Sequence, residues 1–137
     1  MGEVMTVPDD VDDDEELARR CDKRDTRGGA VRWKAFIRTK VPLEISHDRV
    51  KYCDPWAAIA NDPRRTLVFL VAGEVRVAIE NARVVPDKPP EEHALVGVYV
   101  TGVQGTAIET KAELEAVGAF KELVDVAMRL AELARAA

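Results

Sequence analysis

The sequence has very few of the residues on which most enzymes and cofactor sites are built. It contains one serine, two histidines and two cysteines, and these are not grouped at the spacings of a metal site. The serine lies in Ser46-His47-Asp48, where adjacent side chains diverge and cannot form a nucleophile–base–orienter chain. There is no Walker-type glycine loop and no Gly-x-Gly-x-x-Gly motif. We therefore expect no enzyme, no cofactor and no bound metal.

The sequence also lacks an apolar run long enough to cross a bilayer, and its first residues are acidic, unlike a signal peptide. A soluble, cytoplasmic protein without membrane contact is the expectation. Cys21 and Cys53 are interpreted as small, partly buried residues, with a disulfide as the alternative. Only three side-chain amides occur, and 33% of residues are charged. That profile is typical of hyperthermophile proteins, although a GC-rich genome biases composition in the same way.

The charge is distributed unevenly along the chain, although the net charge is only −5. Residues 1–16 hold eight acids and no base, which leaves 17 acids against 20 bases in the remainder. Residues 19–40 hold nine bases and only two acids. Such asymmetry favours an anionic partner for the basic segment. It also suggests that the acidic segment folds over the basic one as an intramolecular competitor.

The pattern of residues 31–40 predicts a β-strand with two different faces, because successive strand side chains point to opposite sides. One face is apolar and suits a core: Val31, Trp33, Ala35, Ile37 and Thr39. The other holds four cations and one aromatic ring: Arg32, Lys34, Phe36, Arg38 and Lys40. This second face is typical of a surface that contacts phosphates and stacks a base. A charged, solvated strand edge is the alternative interpretation.

Further basic and aromatic residues could extend this surface. Arg24 and Arg27 precede it, and Arg64 and Arg65 could form a second rim. Tyr52 and Trp56 are candidate stacking residues near that rim, and for Trp56 a core position is the preferred assignment. A face of this kind suits single strands, whose bases are available to stack, better than a duplex.

The remaining pattern predicts an α+β fold with a small antiparallel sheet of about four strands, short helices and a long C-terminal helix. Short helices are expected near residues 12–21 and at residues 56–60, the latter begun by Asp54-Pro55. Further strands are expected at residues 67–72, 74–80 and 94–101, with a loop at residues 86–92. We divide the chain into a disordered acidic leader (1–11), a nucleic-acid-binding domain (12–108) and a C-terminal helix (109–137).

The C-terminal helix is predicted to begin with a capping box, Thr110-x-x-Glu113. Apolar residues then recur at spacings of three and four, which is typical of a coiled-coil seam. The residues of this seam predicted to form a homodimer are Leu123, Val126, Leu130 and Leu133. The alternative is a helix whose apolar stripe packs inside the monomer.

In layout the chain resembles the ThermoDBP-like single-stranded-DNA-binding proteins of hyperthermophilic archaea (Thermoproteales). The resemblance rests on the acidic leader, the small α+β domain, the basic-aromatic stripe from Arg32 to Lys40 and the leucine-rich terminal helix. It implies sequence-independent binding and protection of single-stranded DNA in a cleft, and a leucine-zipper dimer. An RNA-binding module and a protein–protein adaptor without a nucleic-acid role are the alternatives.

Overall fold

A computed structural model shows an antiparallel sheet packed against helices, which confirms the α+β class. It describes residues 10–37, 43, 45–80, 82–87, 93–98 and 108–137. The strands are β1 (Glu16–Asp22), β2 (Ile45–Arg49), β3 (Arg65–Val71), β4 (Ala82–Asp87), β5 (His93–Val98) and β6 (Arg135–Ala136). They are arranged in the order β4-β5-β2-β1-β3-β6, so the sheet has six strands where about four were expected.

Three α-helices and four 3₁₀ helices accompany the sheet in the described residues. The α-helices are α1 (Ala72–Ala78), α2 (Lys111–Ala116) and α3 (Phe120–Leu133). The 3₁₀ helices are Lys23–Gly29, Trp33–Phe36, Val50–Tyr52 and Ala57–Ile59. None of the helices in these parts of the chain is long and apolar enough to cross a membrane.

Alternation along the central strand β1 divides the sheet into two faces. Leu17 and Cys21 contribute to the main core, which α3 and the Trp33–Phe36 helix cover. Ala18 lies on the opposite face and packs with Ile59 and Leu67 in a smaller cluster. The segment 12–21 is therefore mostly strand, and the predicted helix is wrong, because pairing on both sides with β2 and β3 outweighs a weak helical pattern.

The predicted two-faced strand at residues 31–40 is also wrong where the structure describes it. Residues 33–36 form a 3₁₀ helix, and β1 and β2 already pair with β3, with β5 and with each other. The sheet therefore offers this segment no free edge beside them. Phe36 is only 2% exposed and stacks on the His47 ring, with 6.0 Å between centroids. It is a core residue and not the exposed stacking residue that was predicted.

Of the other predicted elements, two strands are confirmed and two elements differ from the prediction. The strand at residues 67–72 is confirmed as β3, and the strand from residue 94 is confirmed as far as Val98. Residues 74–80 are predicted as a strand but lie mostly in α1, where Val75 is buried, and Ile79, the residue that caps the end of α1, is buried four positions later. The loop predicted at 86–92 is wrong at its start, since β4 continues to Asp87, and residues 88–92 lie outside the described residues.

The C-terminal region contains two helices instead of one. Thr110 caps α2 as predicted, accepting a hydrogen bond from the Glu113 backbone N–H at 3.2 Å. Gly118 then adopts a φ of 75°, a left-handed conformation that ends α2 before α3 begins.

The predicted dimer seam belongs to the core of the monomer. Leu123, Val126 and Leu130 are at most 3% exposed within one chain, and Leu133 packs against the same core. These residues cannot also form a coiled coil with a second copy unless the core opens. Residues 109–137 are thus part of the domain, where they were predicted to be a separate dimerisation helix.

Candidate nucleic-acid interface

A cationic cleft lies where β1 ends and β3 begins. Its volume is about 340 Å³, and its lining comes from β1, the Lys23–Gly29 and Trp33–Phe36 helices and the start of β3. The lining residues are Arg19, Arg20, Cys21, Asp22, Asp25, Lys34, Ala35, Arg64 and Arg65. Five bases and two acids thus face one concave surface, which favours an anionic ligand.

Two arginines of the cleft are held in place by the sheet. The Nε atom of Arg19 donates to the Ala35 carbonyl at 3.2 Å, and its guanidinium reaches the Ser46 carbonyl at 3.5 Å. Arg20 donates two hydrogen bonds to the nearly buried carboxylate of Asp48, at 3.0 and 3.3 Å. Hydrogen bonding to Asp48 raises the pKa of Arg20. These guanidinium groups are therefore pre-positioned and lose little freedom when a ligand binds.

The other bases of the cleft form an exposed rim. Lys34, Arg64 and Arg65 are exposed. Both arginines pair with Asp62, at 3.5 Å and 3.8 Å, in exposed ion pairs that contribute little in water. Their charge can therefore reorient toward an anion at small cost.

A second cavity, the Trp33 cavity, adjoins the cleft and has a volume of about 750 Å³. It lies between residues 29–34 and the end of α3, and it is lined by Gly29, Ala30, Val31, Arg32, Trp33, Lys34, Met128, Ala131, Glu132 and Ala134. The Trp33 ring is partly buried and packs on the core. Lys34 lines both concavities, so the cleft and the Trp33 cavity are neighbours at this side chain.

The structure brings together some of the predicted site residues and separates others. Lys34, Arg64 and Arg65 meet in the cationic cleft, and Arg32 lines the Trp33 cavity. Arg38 and Lys40 lie outside the described residues. Arg24 lines neither concavity and pairs at 3.2 Å with Asp22, which lines the cleft, so its part in the basic surface stays a prediction.

The two predicted stacking residues after β2 lie apart from this site. Neither Tyr52 nor Trp56 lines the cleft or the Trp33 cavity. The Tyr52 ring packs under the Arg49 guanidinium, 4.8 Å from its centroid. Trp56 is 48% exposed, so its preferred assignment to the core is wrong. The helix predicted at residues 56–60 is shorter, a 3₁₀ helix at Ala57–Ile59, and Asp54 accepts a hydrogen bond from the Trp56 backbone N–H in the turn before it.

Sequence reasoning missed three contributors to the interface: Arg19, Arg20 and Trp33. Both arginines count among the nine bases of residues 19–40, but the predicted helix hid their alternation across a strand. Trp33 was assigned to the core face of a strand, whereas a 3₁₀ helix leaves it at the edge of a cavity. Recognising residues 16–22 as a strand would have placed Arg19 and Arg20 near its C-terminal end, where both line the cleft.

The start of β1 is acidic, in contrast to its end. Three ion pairs form there: Arg76 with Asp13, Arg49 with Glu15, and Arg135 with Glu16. The Arg49–Glu15 pair is fully buried, with hydrogen bonds of 2.8 and 2.9 Å. Burial raises the pKa of Glu15, but the bonds from Arg49 and from the Asp12 backbone outweigh burial and hold that pKa below its ordinary value. We call this region the acid end.

The acid end holds the described part of the predicted leader away from the cleft. Val11 is buried, and Gly73 donates to the Asp13 carbonyl at 2.7 Å. A strand of the length of β1 separates the two ends by roughly 20 Å. Residues 10–16 therefore do not cover the basic surface, and residues 1–9 of the predicted leader lie outside the described residues.

Two further titratable groups near the interface, His47 and Cys21, are buried. His47 is fully buried, its Nδ1 lies 3.1 Å from the Ile45 carbonyl, and its Nε2 has no partner among the described residues. Burial and the nearby Arg19 charge lower the pKa of His47 to about 3. Burial, aided by Asp25, raises the pKa of Cys21 to about 11. Cys21 and Cys53 are free thiols.

Across the part of the chain that the structure describes, no three His, Cys, Asp or Glu side chains form a group that could hold a metal ion. Comparison of the chain with protein-family models, with curated proteins and with solved structures found no match.

Proposed function

We propose that this protein binds single-stranded DNA with little sequence preference, through the cationic cleft and the Trp33 cavity together. The observation that carries the proposal is that Lys34 lines both concavities. A base placed against Trp33 has its own phosphate within reach of Lys34. Phosphate contacts supply sequence-independent affinity, and aromatic stacking is tolerant of base identity.

The shape of the interface favours a single strand over a duplex. Trp33 is partly buried and lines a cavity between residues 29–34 and α3, so a base that has left its stack is better placed to enter this cavity than a base inside a duplex. Duplex readers instead place a helix or a two-stranded ribbon into a groove. The described residues of the cleft and of the Trp33 cavity line concave surfaces, which are not protruding elements of that kind.

This is also the function implied by the resemblance to the ThermoDBP-like proteins. The support for it here is the geometry of the cleft, with the stacking role moved from Phe36 to Trp33. Dimerisation stays a prediction, and the seam predicted for it is buried in the monomer. A dimer through the C-terminal region would need another surface, such as the one around the exposed Val117, since the exposed Met128 lines the Trp33 cavity. Light scattering of the purified protein measures the oligomeric state.

Fluorescence anisotropy with an internally labelled oligothymidylate, at several salt concentrations, tests the proposed function. We expect saturable binding that weakens with salt, with a slope of roughly −0.7 per phosphate contact. A duplex of equal length is the control and should bind more weakly at each salt concentration. Absence of binding to the single strand at low salt would overturn the proposal.

The same assay with an oligouridylate compares DNA with RNA. The phosphate contacts are common to both, and only a contact to the 2′-hydroxyl separates them. Tighter binding of RNA would favour the alternative of an RNA-binding module. Binding to neither strand would leave the adaptor as the surviving alternative.

A further inference from the structure

The outer edge of β4 is unpaired in the described part of the sheet. β4 has six residues, pairs with β5 on one side and stands last in the order of strands. The strand at the opposite end of the sheet, β6, has only two residues. An unpaired edge presents backbone donors and acceptors to any other strand, so folded proteins usually block it. β4 is therefore the edge at which a further strand could add.

Alternation along β4 identifies the backbone groups that face outward. In an antiparallel pair, only every second residue exchanges hydrogen bonds with the neighbouring strand. Pro86 has no N–H to donate to β5, and the Ala82 N–H donates at 3.2 Å to the Ile79 carbonyl, outside the sheet. Val84 belongs to the same alternate set as these two residues. Its backbone groups therefore point away from β5, toward the open edge.

Arg76 of α1 occupies this edge near its centre. One nitrogen of its guanidinium donates to the Val84 carbonyl at 3.0 Å, and another donates to the Asp13 carboxylate at 2.7 Å. The planar fork of a guanidinium allows both bonds at once. Asp13 is fixed in turn, because its carbonyl accepts a hydrogen bond from Gly73 at the start of α1. The Arg76 side chain is thus held at the β4 edge by bonds on two sides.

These contacts occupy or remove the groups that an added strand would need. A strand approaching from outside finds the Val84 carbonyl bonded to Arg76, the Ala82 N–H bonded to Ile79, and no N–H at Pro86. A charged side chain and a proline are two of the means by which natural sheets protect an edge. Of these contacts, the one from Arg76 can be removed without changing β4 itself.

We propose that the outer edge of β4 is a self-association surface that Arg76 keeps closed. The partner is β4 of a second copy of this chain, aligned antiparallel about a two-fold axis, because one edge then serves both molecules. The edge at β6 is too short to compete with it. The proposal does not depend on nucleic acid binding, so its test is independent of the proposed function.

Removal of the Arg76 side chain tests the proposal by light scattering over a range of protein concentrations. The mass of Arg76→Ala should rise with concentration toward about twice that of the wild type, which should stay constant. Asp13→Asn is the matched control, because it breaks the ion pair but leaves the bond from Arg76 to Val84. Its mass should follow the wild type. A constant mass for Arg76→Ala would overturn the proposal.

A second substitution shows whether the association uses β4. Val85→Lys, added to Arg76→Ala, places like charges on adjacent strands of a β4–β4 pair and should restore the wild-type mass. Val77→Lys, added in the same way on the exposed side of α1, should not restore it. Association that persists with Val85→Lys would show that another surface or an unfolded chain is responsible, and the proposal would fail.

Urea denaturation establishes that each of these variants is folded. If Arg76→Ala does not fold, Arg76→Lys takes its place, because a single ammonium group cannot keep both bonds of the guanidinium fork. Its mass should also rise with concentration. A folded Arg76→Lys of constant mass would contradict the proposal in the same way.

Discussion

The two ends of β1 use charge in opposite ways. At the acid end, Asp13, Glu15 and Glu16 each meet an arginine, and the Glu15–Arg49 pair is withdrawn from water. At the other end, the bases of the cationic cleft outnumber the acids that face them. The seven residues of β1 thus separate a region in which these three acids each have an arginine partner from a region in which bases outnumber acids.

This difference separates structural charge from charge that a ligand can use. A buried pair is satisfied by its own partner, and losing one member leaves the other unpaired in a low dielectric. An exposed surplus contributes little to folding, because water and salt screen it. Changes at the acid end should therefore alter stability and leave affinity intact, whereas changes at the cleft should do the reverse.

The largest expected effect comes from breaking the buried pair at the acid end. Arg49→Met leaves Glu15 buried without its partner and should lower the free energy of unfolding by about 3–5 kcal/mol. Urea denaturation measures this loss. The double variant with Arg49→Met and Glu15→Leu should recover much of the lost stability, because no buried charge then lacks its partner. If the single and double variants are equally stable, the buried pair does not act as we describe.

The next effect concerns His47, beneath the Trp33–Phe36 helix. Its pKa is about 3 in the folded protein and near 6.5 when unfolded, so the unfolded state binds the extra proton between these values. Stability should therefore fall as pH drops from about 7 to about 5, by roughly 1 kcal/mol per pH unit at full effect. Glu15, whose folded pKa is lowered, adds a loss only in more acidic solution. Denaturation of His47→Phe across this range should show a flatter profile, and an unchanged slope would contradict the assignment.

A smaller effect is expected at the Trp33 cavity. Trp33→Ala should weaken binding of a single strand by about 1–3 kcal/mol with little change in salt slope, since stacking involves no counterion release. Anisotropy titrations at several salt concentrations measure both quantities. Phe36→Leu is the matched control, because this buried ring should affect stability and not the affinity of the folded protein. Equal losses of affinity in the two variants would show that the whole helix, and not Trp33, is responsible.

The smallest effect is expected at the rim. Arg64→Gln or Arg65→Gln alone should reduce the salt slope for single-stranded DNA by roughly 0.7, as one phosphate contact is lost. The unfolding free energy should change by less than about 0.5 kcal/mol, because both side chains are exposed. A stability loss comparable to that of Arg49→Met would contradict the view that charges at the acid end stabilise the fold whereas those at the cleft serve ligand binding.

The sequence predicted best those elements whose signals are local. Thr110 and Glu113 identify a helix start by themselves, and the apolar run of β3 reads as a strand with few competing interpretations. The charge asymmetry also pointed to the basic region that forms the cleft. These signals depend on neighbours in the chain and so survive without knowledge of the fold.

The wrong predictions share a different cause: whether a segment with an ambiguous pattern forms a strand, a helix or a core contact depends on which neighbours it meets in the folded protein. Residues 31–37 have strand alternation, but no free sheet edge is available to them beside β1 and β2. Val75, Val77 and Ile79 alternate like a strand, yet Val75 and Ile79 also satisfy helical spacing, and Val77 lies exposed in α1. The apolar spacing of the α3 seam is equally compatible with a coiled-coil dimer and with packing inside the monomer. Only the packing of the whole chain decides such cases.

The Trp33–Phe36 helix has a consequence for how thermal stability should be understood. Its four residues place Phe36 in the core while Trp33 and Lys34 line the proposed interface. A ligand that binds only the folded form shifts the folding equilibrium by mass action, by about 2.7 kcal/mol when its concentration is 100 times Kd. If the interface binds nucleic acid as proposed, its occupancy by abundant single strands would therefore protect the fold, and a melting temperature measured on the free protein would be a lower bound.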